Sequence, residues 1–84
     1  MAFRVWWVRN VPGEAEFYPV ASIEEASTKL NELAQADLAS PSVVSNAGGL
    51  EVLEGGRWVE YYDEQGDDIS AIIRRKKVYV QEEA

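Results

Sequence analysis

Gly55-Gly56 stands between two runs of strand-forming residues, Leu50 to Glu54 and Arg57 to Tyr62. Two glycines in a two-residue connection accept the positive φ angles of a primed turn, whose twist matches that of the strands it joins. Such a turn also sets the register: Glu54 faces Arg57, Leu53 faces Trp58, Val52 faces Val59, Glu51 faces Glu60 and Leu50 faces Tyr61. Opposed residues share a face. Leu50, Val52, Val59 and Tyr61 therefore form an apolar side expected to meet a helix, while Glu51, Leu53, Trp58, Glu60 and Tyr62 form a mixed side.

That helix is signalled by Ser22-Ile23-Glu24-Glu25, a capping box in which the serine oxygen accepts from the amide of Glu25 and Glu25 reaches back. Ile23, Ala26, Leu30, Leu33, Ala34 and Leu38 follow at spacings of three and four on one face, and Ser40-Pro41 ends the run. Ahead of it, Phe3 to Val8 is apolar on both parities, as a central strand requires. Asn10-Val11-Pro12-Gly13 predicts a turn with Pro12 at its second position and Gly13 at positive φ. Phe17 to Val20 is a short strand that Pro19 confines to an edge.

After the first helix, Asn46-Ala47-Gly48-Gly49 reads as a loop. Asp67 to Lys77 carries Ile69, Ile72 and Ile73 at helical spacing, with acids at its start and bases at its end, as a helix dipole favours. Val78-Tyr79-Val80 is either a last strand or the start of a tail. The expected architecture is α+β in the order β-β-α-β-β-α: an antiparallel sheet of about four strands, one helix packed on a face, and a C-terminal helix. A chain of 84 residues supports one domain over its whole length, with a tail from about residue 78.

Composition narrows the chemistry. The chain has no histidine and no cysteine, which removes the side chain that titrates nearest neutrality, the commonest metal ligand and every thiolate nucleophile. No catalytic motif, cofactor or metal site is expected, and the chain reads as a non-enzyme. The N-terminus lacks the apolar core of a signal peptide, and no apolar stretch is long enough to span a bilayer, so a cytoplasmic protein without a membrane partner is expected. Residues 1–73 hold four basic residues against thirteen acids, a net of −9, which makes duplex nucleic acid an unfavourable partner and suits basic partners or solubility.

Three features invite a site. Arg74, Arg75, Lys76 and Lys77 offer an anion-binding cluster or simply a positively charged helix end. Asp63, Glu64, Asp67 and Asp68 surround Gly66 without the spacing of a calcium loop, and read as a turn entering a helix. The aromatic residues are the most informative. With Phe3, Val5 and Trp7 on the helix side, Arg4, Trp6 and Val8 point toward the side of Leu53, Trp58 and Tyr62, with Phe17 nearby. Trp6, Phe17, Leu53, Trp58 and Tyr62 then form either a partner-binding patch or, if Ile69, Ile72 and Ile73 cover them, a second core layer.

Three stretches also carry a resemblance: Val5-Trp6-Trp7-Val8 running to Val11-Pro12-Gly13, Ser45-Asn46-Ala47-Gly48-Gly49-Leu50-Glu51, and Gly56-Arg57-Trp58-Val59-Glu60-Tyr61-Tyr62-Asp63. Over about residues 5 to 68 the chain resembles a group of short acidic proteins of tailed phages and prophages. It differs in a shorter stretch before Ser45 and in its basic end after Ile73. The resemblance implies a setting rather than a residue role: small phage proteins outside the virion bind and redirect host proteins. The leading expectation is a noncatalytic phage-encoded protein that binds and modulates a host or anti-phage defence protein. The alternative is a binder that sequesters a nucleotide, stacking its base on Trp or Tyr and holding its phosphates with Arg74 to Lys77. A homo-oligomer is compatible with both.

Overall fold

The computed structural model describes residues 2–75. Four strands, β1 (Phe3–Arg9), β2 (Ala15–Val20), β3 (Asn46–Glu54) and β4 (Arg57–Glu60), form one sheet in the order β2-β1-β3-β4, every neighbouring pair antiparallel. Helix α1 (Ile23–Leu38) follows β2, and a second helix, α2, runs from residue 69 to the last described residue, 75. The order is β-β-α-β-β-α, as the spacing of the sequence predicts. β1 is central and β2, with Pro19, is an edge. The expected Val78-Tyr79-Val80 strand or tail lies outside the described residues.

The Gly55-Gly56 connection has φ of 56° and 80°, and the four register pairs from Glu54↔Arg57 to Glu51↔Glu60 stand as the turn dictates. The fifth, Leu50 with Tyr61, persists as a 2.9 Å bond from the Tyr61 amide to the Leu50 carbonyl, just past the end of β4.

Ser22 caps α1: its backbone is extended, and its Oγ accepts from the Glu25 amide at 3.1 Å. Ser22→Ala is expected to cost about 1 kcal/mol of stability, read as a lower urea midpoint with unchanged slope; an unmoved midpoint would show that this bond contributes nothing.

Val5, Trp7, Val20, Ala26, Leu30, Leu33, Leu50 and Ile69 form the core between the sheet and the helices. Leu50, Val5 and Ile69 are the largest fully buried side chains, each contributing about 1.5–3 kcal/mol through its removal from water. Phe3 and Tyr61 meet edge to face against this cluster, with ring centroids 5.6 Å apart.

Four expectations are corrected. Asn46 to Gly49 is not a loop but the first half of β3, paired with Trp6 to Arg9 of β1. Glycine is a poor strand former because it has no side chain to pack, and here the missing packing is supplied from across the sheet. Trp7 lies over Gly48 and Trp6 over Gly49, each glycine being the register partner of the tryptophan that covers it.

At the β1–β2 connection the residue at positive φ is Asn10, at 55°, rather than Gly13, and the Val11–Pro12 peptide is cis. Asparagine tolerates this region, and its side chain is held on both ends. Nδ2 donates to the Ser42 carbonyl at 3.1 Å and Oδ1 accepts from the Val44 amide at 2.8 Å.

On α1, Leu38 is 81% exposed and Asp37 takes the buried position. Asp37 continues the Ala26, Leu30, Leu33 spacing, so the helix geometry turns its carboxylate inward and Leu38 outward.

Finally, α2 begins at residue 69 rather than at Asp67. The Asp67 amide is already held by Asp63 Oδ1 at 2.9 Å, and Asp68 Oδ1 takes the Ala71 amide at 3.0 Å, as a helix cap does. Ile69 and Ile73 pack into the same cluster as α1. The described part of α2 therefore lies on the same side of the sheet as α1, and among the described residues no second core layer covers Trp6 and Trp58.

Candidate functional site

Strand alternation carries Arg4, Trp6, Phe17, Glu51, Leu53, Trp58 and Glu60 to the face opposite the helices. Four of the five aromatic and apolar residues expected as a partner surface are thereby brought onto one face: Trp6 is the register partner of Phe17, and Leu53 of Trp58. Tyr62 lies just beyond β4 and is 60% exposed. Phe17 and Leu53 are 47% and 40% exposed, large values for side chains of this size, and among the described residues no second layer covers them.

Arg4 organises this face. Its guanidinium carbon lies 3.9 Å from the centre of the Phe17 ring and 4.3 Å from that of Trp58, a cation held between two aromatic faces. Its Nε donates to Glu51 Oε1 at 2.7 Å. One side chain of β1 thus ties together residues of β2, β3 and β4. Stacking and ion pairing both fix the planar guanidinium, which a lysine would not reproduce.

Beside this stack, the Trp6 indole crosses Gly49 and its Nε1 donates to Glu60 Oε1 at 3.1 Å. Burial pushes the Glu60 carboxyl above its ordinary value; the Trp6 bond pulls it back, and the like charges of Asp68 and Glu51 push it up again. Arg4, Glu51 and Glu60 did not stand out as site residues in the sequence. The Arg4–Glu51 contact depends on β1 pairing with β3, a long-range pairing that no local signal announces.

At the other end of the sheet, on the helix side, Asp37 accepts from Trp7 Nε1 at 2.9 Å, Arg9 Nε at 2.7 Å and Asn46 Nδ2 at 3.1 Å. Burial opposes its ionisation, but the bonds from Arg9, Trp7 and Asn46 outweigh that and hold the carboxyl below the ordinary aspartate value. Arg9 also pairs with Glu16, which accepts from Tyr18 Oη at 2.6 Å. Every group here has a partner, which is the pattern of a strut between α1 and three strands rather than of a reacting centre.

Of the expected anion cluster, Arg74 and Arg75 fall within the described residues. Arg75 bonds Gln65 and Asp67 at 2.7 Å and Asp63 at 3.1 Å, so it closes the acidic turn before α2. Asp63 and Asp67 are correspondingly engaged with this arginine. Arg74 is exposed, and Lys76 and Lys77 lie outside the described residues. A groove of about 710 Å³ runs between α1 and α2 over Trp7 and Gly48, with Asn31, Asn46, Ser70 and Ile73 on its walls; no charged side chain is among its described lining residues.

No helix among the described residues is long and apolar enough to cross a membrane. No curated protein and no solved structure matches the chain. A family model does, over residues 2–78 and hence through all four strands and both helices, and by that match the chain belongs to the family of superinfection exclusion gene product 17.

Proposed function

We propose that this chain is a noncatalytic phage-encoded protein that acts in superinfection exclusion by binding a host or phage protein in the host cytoplasm, through the sheet face built around Arg4. The observation that carries this reading is the open aromatic face. Phe17 and Leu53 stay substantially exposed although the same sheet buries Val5, Leu50 and Val52 on its other side. Exposed apolar residues beside partly buried tryptophan and arginine have the composition of an interface centre. The family membership supports the setting, because exclusion requires interference with a component of the host or of an incoming phage.

The nucleotide-binding alternative draws less support. Arg75 is committed to Asp63 and Asp67, and the groove between the helices has no cation among its described lining residues.

The test uses substitutions away from the buried core. Phe17→Ser and Leu53→Ser, combined, change exposed side chains outside the helix-side core. The double variant, produced in the host at the wild-type level, is expected to retain its melting transition and lose exclusion by at least about tenfold, measured as the plating efficiency of a challenging phage that the wild-type chain excludes. Full exclusion by a folded double variant would remove this face from the function.

A further inference from the structure

We infer that the partner of this face presents an arginine, which pairs with Glu60 beside the Trp6 indole. The inference rests on the docking role proposed for the face and names the chemistry of what docks. Its first support is charge. Arg4 is the one cation on the face among the described residues and is already matched by Glu51 at 2.7 Å. Glu60 has the Trp6 Nε1–H as a hydrogen-bond donor, and among the described residues no cation pairs with it. A carboxylate in a partly apolar setting, with Glu51 and Asp68 adding like charge, is a poor surface to cover with an uncharged partner, because docking would strip its remaining water without replacement. A cation arriving with the partner removes that cost.

The second support is geometric, and it selects a guanidinium over an ammonium. The face already holds one guanidinium, Arg4, between two ring faces with a carboxylate at its edge. Trp6 and Glu60 repeat half of that arrangement, a flat indole lying on Gly49 with a carboxylate at its nitrogen edge. A planar cation can stack on such a ring while its N–H groups bond the carboxylate, and an ammonium cannot do both equally well. The acidic excess over residues 1–73 attracts the same partner from a distance.

The test titrates the full ¹⁵N-labelled chain with acetyl-Leu-Arg-Leu-amide and with its citrulline counterpart, which keeps the shape and loses the charge. The indole N–H of Trp6 reports directly because it is the group bonded to Glu60. A saturable shift with the arginine peptide is expected, weakened about fivefold or more by citrulline and to the same extent by Glu60→Gln, whose amide oxygen still accepts from Trp6. Equal responses to the two peptides, indifference to Glu60→Gln, or no response to either would overturn the arginine assignment. If that happens while the Phe17→Ser, Leu53→Ser variant still loses exclusion, the docking face stands and its cationic partner falls; if that variant keeps exclusion, both fall.

Discussion

Trp7→Ala should cost about 3–5 kcal/mol of folding stability, the range for removing a large buried aromatic residue and leaving a cavity. Trp7 is 5% exposed, contributes to the main cluster and lies across Gly48 of the neighbouring strand. Its loss would also free Asp37 of its indole donor, leaving the carboxylate with Arg9 and Asn46. Against a total of about 5–10 kcal/mol for a chain of this size, most of the stability would go. Trp7→Phe separates the two contributions, since it keeps a ring over Gly48 and removes the N–H; about 1–3 kcal/mol is expected from that change. Urea unfolding followed by circular dichroism measures both. A loss below 1 kcal/mol for Trp7→Ala would mean that the ring is not part of the core.

Two local devices were legible in the sequence. The Gly55-Gly56 turn fixes a register that runs without a slip from Glu54↔Arg57 to Glu51↔Glu60, because a two-residue connection leaves the strands no choice of pairing. Ser22 caps α1 for a similarly local reason. Where a residue is compensated from far along the chain, local reasoning misreads it. Gly48 and Gly49 resemble a loop until β1 is placed beside them and the two tryptophans fill the space that their missing side chains leave. Leu38 reads as the last inward residue of α1, but Asp37 takes the buried position because three donors, Trp7, Arg9 and Asn46, reach it from β1 and β3.

The same limit applies to the candidate site. Alternation along β1 and across the hairpin was enough to put Trp6, Leu53 and Trp58 on one face. The isoleucine spacing of α2 could not say on which side of the sheet that helix would pack, and Ile69 joining Val5, Leu50 and Leu30 decides that. Arg4 is the member that long-range pairing alone reveals, since its partners Phe17, Glu51 and Trp58 come from three different strands.

Gly48→Val should destabilise the fold by about 1–3 kcal/mol or more, the usual cost of forcing extra atoms into a filled space, even though valine is far the better strand former. A Cβ at Gly48 would stand 2.6 Å from Trp7 Cζ3 and 3.1 Å from the Trp6 carbonyl oxygen. The ring cannot easily withdraw, because Nε1 is held by Asp37 and the indole is packed in the core. Strand propensity and packing thus predict opposite signs at this position, and the distances decide for packing. The decisive measurement is a double-mutant cycle with Trp7→Ala. Once the ring is gone, the valine side chain has room and partly fills the cavity, so the double variant should be more stable than the sum of the two single losses implies, by at least about 1 kcal/mol. Simple additivity would mean that the glycine is required for some reason other than the tryptophan lying on it, and a stabilising Gly48→Val would show that β3 does not run beneath that ring.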